Sequence, residues 1–294
     1  MSIDVLQEKI RKLKNPTIVE FGVTPEHLPQ HLLDEEGSIH LAYHRFCREL
    51  MEKLKGFVPG VRFSFAAFAL MGPDGLNSLT TLLKQAKEMG YYVILDSPGI
   101  MSPWGADRTA PYIFGESSLF PCDALVISCY LGSELIKPFL PYCKEGSKDL
   151  FVSVRTPNKS APELQDLLTG SRLVHMVAAD MVNRQGEAIL GKCGYSRVCV
   201  KASASAPESL RNIRKNYKSL FVLVDGIDYP SGNAKNCTFA FDKLGHGAAV
   251  CVSTSVTAAW LDEERDTDGL DYIEKAMEAA QKVKRNLLRY VSIL

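Results

Sequence analysis

The sequence predicts an α/β chain folded as a closed (β/α)8 barrel, the TIM barrel, in a single domain over residues 1–294. Three observations carry this. Eight short runs rich in β-branched and aromatic residues recur along the chain, and most are separated by segments with helical spacing of apolar residues. The runs are apolar, as the strands of such a barrel are. No low-complexity linker divides the chain. A doubly wound open sheet is the alternative that this alternation leaves open.

The first strand is TIVEF (17–21), followed by VRFSFA (61–66), YYVILD (91–96) and ALVIS (124–128). The second half supplies LFVSV (150–154), RVCVK (197–201), LFVLV (220–224) and AAVCV (248–252). The long first connection contains GSIHLAYHR and a helix in YHRFCRELMEKLKG, ending at Gly56. GPDG (72–75) reads as a turn into the next helix, where Leu76, Leu79, Leu82, Leu83 and Ala86 share one face and Gly90 is the stop. TGSRLVHMVAADMVNRQGEAILGKCG adds an extra helix before the sixth strand. The last helix runs from about Leu270 to Val291, with Ile273, Met277, Ala280, Lys284 and Leu287 along one stripe.

Composition narrows the function classes. Lys+Arg and Asp+Glu both count 34, so the formal charge is zero and there is no electrostatic footprint for nucleic acid or anionic membrane. Hydrophobic residues make up 46% of the chain, enough for a sizeable core. MSIDVLQEKIRKLK has helical periodicity but no signal-peptide apolar region, and no apolar run approaches the ~20 residues that span a bilayer. A soluble, cytoplasmic protein is expected. None of the eight cysteines forms a C-x-x-C pair, so they are expected to be reduced and structural, with Cys199 and Cys251 buried inside strands.

A barrel of this kind builds its site at the C-terminal ends of the strands. The polar residues there are Glu20, Arg62, Ser64, Asp96, Ser128, Arg155, Lys201 and Asp225. Arg62 or Arg155 beside a carboxylate reads equally well as a structural ion pair. His27/His31 and His40/His44 have i, i+4 spacing, but neither pair carries the Glu of H-E-x-x-H, so no metal site is expected. VDGIDYPSGNAKN (224–236) follows the seventh strand, where barrels often hold phosphate, yet Asp225 and Asp228 would repel one.

Taken together, these segments resemble the orotidine 5'-phosphate decarboxylase family, in its longer bacterial form, from about Ile18 to Arg289. FAAFALMGPDGL is similar to the family's Ala-Phe-Phe-Glu-x-x-Gly-x-x-Gly-Leu, SCYLGSELIKPFL to its Ser/Asn-Pro-Tyr-Leu-Gly segment, and FVSVRTPNKSAPELQDL to its Thr-Ser-Asn-Pro-Ser stretch. The resemblance implies decarboxylation of orotidine monophosphate to uridine monophosphate without metal or organic cofactor. The family does this with a Lys and an Asp-x-Lys-x-x-Asp array, whose second Lys protonates the carbanion.

Carried over position by position, the first Lys falls at Arg62 and the first Asp at Asp96, the two implied catalytic residues. The proton-donating Lys falls at Pro98 and the last Asp at Met101. The pyrimidine-contacting Thr falls at Gly105, the ribose-gripping Asp at Thr24, the phosphate-loop Gln at Pro230 and the phosphate-gripping Arg at Thr254. Implied substrate contacts are therefore Thr24, Ser128, Thr156, Lys201, Asp225, Gly226 and Thr254. The expectation is a barrel without the standard activity that binds a nucleotide or sugar phosphate weakly. It is expected to be a homodimer, with Ile100, Met101 and Trp104 wanting cover near the mouth, and the resemblance also allows pairing with a true decarboxylase. The alternatives are a divergent active decarboxylase and a related sugar-phosphate lyase with changed chemistry.

Overall fold

The computed structural model describes residues 2–22, 24–96, 99, 102–145, 148–261 and 269–294. Among them, eight parallel strands close a barrel: β1 (Thr17–Phe21), β2 (Gly60–Ser64), β3 (Tyr92–Asp96), β4 (Ala124–Ser128), β5 (Asp149–Ser153), β6 (Val198–Ser203), β7 (Val222–Asp225) and β8 (Ala248–Val252). They pair in chain order, and Thr17 to Val19 of β1 lie beside Val250 to Val252 of β8 to shut the ring. That closure rules out the open sheet. TIVEF, ALVIS and AAVCV match their strands residue for residue.

The second run behaves differently at its end. Ser64 accepts the Ala67 N–H at 3.4 Å, and this cap turns Phe65–Ala69 into a short helix where the apolar pattern suggested continued strand.

The larger described helices are α1 (Ile3–Leu13), α2 (Ile39–Leu54), α3 (Gly72–Glu88), α4 (Pro103–Phe114), α5 (Val174–Gly186), α6 (Pro207–Asn216) and α7 (Tyr272–Leu288). GPDG is the first turn of α3 rather than a turn before it. Pro73 sits where its missing N–H costs no helical bond and its fixed φ favours the start. Leu79, Leu82, Leu83 and Ala86 face the core as their spacing requires. The extra helix before β6 is α5, entered through an antiparallel hairpin of Leu168–Thr169 with Arg172–Leu173. Lys284 of α7 donates to the Leu13 carbonyl at 2.9 Å and lies over the Phe57 ring, which explains a lysine on an otherwise apolar stripe.

One continuous apolar cluster fills the barrel and the layer beneath the helices. All eight cysteines are free, and Cys199 and Cys251 are buried in β6 and β8. Among the described residues, no helix is long and apolar enough to cross a membrane.

The first residue of β5, Asp149, is a buried carboxyl in this core. Tyr92 donates its hydroxyl to Asp149 Oδ2 at 2.6 Å, but burial dominates and pushes the carboxyl up to about 7. The folded protein therefore holds a proton here that the unfolded chain releases at its ordinary value. Stability should fall as pH rises from about 4 through about 7. Asp149→Asn keeps an acceptor for Tyr92 and removes the titration, so its melting temperature should decline less than the wild type's across that window. Calorimetric scans of both proteins at several pH values check this; parallel pH profiles would contradict it.

Candidate active site at the barrel mouth

Strand alternation points every second side chain into the barrel, and the last inward positions of the strands meet at the mouth. Glu20 on β1 lies in register beside Arg62 on β2. Asp96 and Asp225 are the last residues of β3 and β7, and Lys201 comes from β6. These five side chains form one ionic network. Arg62 Nη2 lies 2.7 Å from Glu20 Oε1 and 3.2 Å from Asp96 Oδ2, and Nη1 lies 3.4 Å from Asp225 Oδ2. Lys201 Nζ lies 2.9 Å from Asp225 and 3.6 Å from Asp96. Arg62, Asp96, Lys201 and Asp225 thus make a ring of alternating charge, with Glu20 attached at Arg62.

The electrostatics follow from burial and sign. Burial raises the Glu20 carboxyl, and Arg62 opposes that rise only partly because Asp225 and Asp96 add to it. Burial also disfavours the Asp225 anion, yet Arg62 and Lys201 outweigh it and hold that carboxyl well below the usual range. Burial weakens the hold of Lys201 on its proton, but Asp225 and Asp96 prevail over it and over Arg62, so Lys201 binds its proton more tightly than an ordinary lysine.

Above the network opens a cavity of about 500 Å³, lined by Glu20, Arg62, Lys201, Asp225, Gly226 and Thr254, with Asp228 and Pro230 at its rim. Gly226 has φ of +76°, and a Cβ there would stand 2.5 Å from Ser203 Oγ and 2.8 Å from Pro157 Cβ. Only glycine satisfies both constraints. On the β8 side, Asp228 Oδ2 accepts the Ser253 N–H at 2.6 Å, at the start of the short helix Thr254–Thr257.

The structure divides the residues singled out from the sequence. Glu20, Arg62, Asp96, Lys201 and Asp225 come together, and Gly226 and Thr254 join them in the cavity wall. Asp225 does not confront a phosphate as a bare charge: Lys201 and Arg62 neutralise it, so the repulsion expected of both aspartates narrows to Asp228. Thr24 instead lines a neighbouring apolar cavity of about 330 Å³ with Leu28, Tyr43 and Met71, and its hydroxyl lies 3.1 Å from His27 Nδ1. Ser128 accepts the Tyr130 N–H at 3.2 Å, and Thr156 is tied into its own loop by Asn158 and Gln165. Neither is among the described residues lining the mouth cavity.

Arg155 leaves the mouth altogether, because Asp166 draws its guanidinium away at 2.9 and 3.0 Å. Gly105 lies in α4 and donates its N–H to Ser102 Oγ at 2.9 Å. Trp104 is exposed, with the Arg108 guanidinium over its ring. Pro98, Ile100 and Met101 lie outside the described residues. His27 ends a 3-10 turn and His31 lies on the next helix, so that pair shares no helix face. No group of three or more metal-ligating side chains occurs among the described residues. The Asp228–Ser253 contact and the pairing of Lys201 with two carboxylates escape sequence reasoning, since no local spacing encodes either.

The comparisons with known proteins agree with this architecture. No family model matches the sequence. Over 265 residues the chain is 31% identical to the orotidine 5'-phosphate decarboxylase of Rhodopirellula baltica, covering 86% of this chain and 87% of that one. The chain belongs to the orotidine 5'-phosphate decarboxylase family. A second member of the family, from Clostridium novyi, is 27% identical over 289 residues and covers 98% of both chains. Among solved structures, the orotidine 5'-monophosphate decarboxylase of Plasmodium berghei superimposes with a TM-score of 0.77 at 13% identity, covering 98% of this chain and 99% of that one. The OMP decarboxylase of Leishmania donovani gives 0.71 at 22% identity, with the same coverage. At these identities the two structures speak for the barrel alone.

Proposed function

We propose that this chain is an orotidine 5'-phosphate decarboxylase-like barrel, related to UMP biosynthesis, that has lost the standard decarboxylation and serves as a binding or regulatory homologue. The observation that carries this reading is the prior engagement of the mouth's charges. Arg62 contacts three carboxylates and Lys201 two, so both cations lining the cavity already have partners. Asp228 occupies the Ser253 N–H, which an anion at the β7 and β8 loops would need. A general acid works best with a pKa near the operating pH, and the tightened hold of Lys201 on its proton moves it the other way.

Purified protein should accordingly release labelled carbon dioxide from orotidine monophosphate at or near the background rate, and calorimetry should find uridine monophosphate bound weakly or not at all. Rapid release that Asp96→Ala abolishes would overturn the reading.

A divergent active decarboxylase is the second reading, and one observation favours it. The Arg62–Asp96–Lys201–Asp225 ring alternates charge as the family's machinery does, with an ammonium contributed by β6. In that case Lys201→Met should lower turnover by about 10²–10⁴-fold, the usual worth of a general acid. On the first reading there is no turnover to lower.

A further inference from the structure

We propose that the barrel mouth takes a primary amine carrying an apolar group, a ligand class that rests on the reading of this chain as a binding homologue. The ammonium sits among the mouth's carboxylates, and the apolar group passes Gly22 into the neighbouring cavity that Thr24 lines.

Charge selects the head group. Glu20, Asp225 and Asp228 line the mouth together with Arg62 and Lys201, and Asp96 adds a fourth carboxyl in contact with both cations. Even with Glu20 holding a proton, as its burial favours, the carboxylates outnumber the cations. Asp228 is exposed, and one of its oxygens accepts the Ser253 N–H. Among the described residues it pairs with no Lys or Arg, so the charge that repels a phosphate attracts a cation. The Tyr229 ring, 45% exposed, belongs to the same wall, and aromatic rings suit ammonium groups. A primary aliphatic amine carries that charge at neutral pH, as a lysine side chain does.

The neighbouring cavity selects the tail. It measures about 330 Å³, and Leu28, Ile39, Tyr43, Leu70 and Met71 make most of its wall. No charged side chain lines it among the described residues. The Thr24 hydroxyl lies 3.1 Å from His27 Nδ1, and Ser64 Oγ accepts the Ala67 N–H, so both are engaged locally. The Tyr43 ring is held against Phe68, with centroids 4.9 Å apart, which fixes that side of the cavity. Leu70, 89% exposed, offers apolar surface that an aromatic or alkyl group would cover.

Gly22 is the one residue that lines both cavities. A Cβ there would stand 3.1 Å from Ser64 Cβ, on the apolar side, and 3.4 Å from Glu20 Oε1, on the acidic side. The missing side chain leaves the two spaces adjoining, and a branched residue at this position would fill the junction.

The test is isothermal calorimetry of the full chain with phenethylamine, ethylamine and 3-phenylpropionate. Phenethylamine should bind saturably and about tenfold or more tightly than ethylamine, the return expected for burying a ring. The phenylpropionate, which reverses the charge on a nearly identical frame, should not bind. In protein labelled with ¹³C-methyl methionine, phenethylamine should shift the Met71 signal and ethylamine should not. Gly22→Val should bring phenethylamine down to the level of ethylamine. Asp228→Asn, at an exposed position, should weaken phenethylamine about fivefold, opposite in sign to its effect on a phosphate. Absence of saturable phenethylamine binding, equal affinity for the carboxylate, or an undisturbed Met71 methyl would each overturn the proposal. The wild-type titrations decide this even if Gly22→Val does not fold. Carbon dioxide release from orotidine monophosphate would overturn the non-catalytic reading without altering these titrations, and failed titrations would remove the amine while leaving that reading in place.

Discussion

Arg62→Ala is expected to destabilise the protein by about 3–5 kcal/mol, lowering the melting temperature by roughly 10 °C. Arg62 is 4% exposed and is the shared partner of Glu20, Asp96 and Asp225. Without it, three carboxylates at the mouth keep Lys201 as their one neighbouring cation in the network, and Glu20 loses its own ion pair. Removing one partner of a buried pair leaves the other desolvated and uncompensated, which is why the loss exceeds what the intact network contributes. Arg62→Lys should fall between the two, since it keeps the charge but not the fork that reaches three strands.

The pH dependence gives this prediction a second readout. The Glu20 carboxyl is already raised in the folded protein. Without Arg62 it should rise further, so the folded variant gains protons relative to the unfolded chain as pH falls. Arg62→Ala should therefore recover part of its stability on acidification, and the gap to wild type should narrow. Calorimetric melting at neutral and mildly acid pH measures both effects. A loss no larger than that of Arg11→Ala, a side chain 52% exposed, would show that the network does not hold the mouth together.

The second large effect is a gain of binding. Asp228→Ala should bind uridine monophosphate at least tenfold more tightly than the wild type in isothermal calorimetry. The variant removes a negative charge from the β7–β8 end of the mouth and frees the Ser253 N–H. A like-charge pair at about 4 Å costs ~1 kcal/mol in water and ~4 kcal/mol at an effective dielectric of 20, and about 1.4 kcal/mol is tenfold in affinity. Asp228→Asn separates the two contributions, because it removes the charge but leaves an acceptor for the amide. It should give a smaller, salt-sensitive gain. Equal affinities in all three proteins would mean that Asp228 does not control anions at this end.

Much of the barrel could be read before any coordinates. TIVEF, ALVIS and AAVCV are apolar runs bounded by breaks in the pattern, and their strands follow them residue for residue. The structure departs from the hydropathy pattern where local backbone chemistry outweighs it. The Ser64 cap bends the end of the second run into a helix, and Pro73 opens α3 inside what looked like a turn. The chemistry-bearing positions divide in the same way. Glu20, Arg62, Asp96, Lys201 and Asp225 are polar residues near the C-terminal ends of greasy strands, and that position makes them candidates for the mouth, as it does Arg155 and Ser128, which do not line it.

Their partners are a different matter. Arg62 meets Glu20 across 42 residues of chain and Asp225 across 163, while Arg155, equally polar and just past the end of its own strand, turns away to Asp166. The order of residues decided which side chains stand at the strand ends, because strand periodicity and burial act within a few residues. Closure of the barrel and the course of the loops decided which charges neutralise one another, which backbone amide Asp228 occupies and which cavity adjoins the mouth. Coulomb and hydrogen-bond energies depend on distances in space, and here those distances are set by strands and loops far apart in sequence.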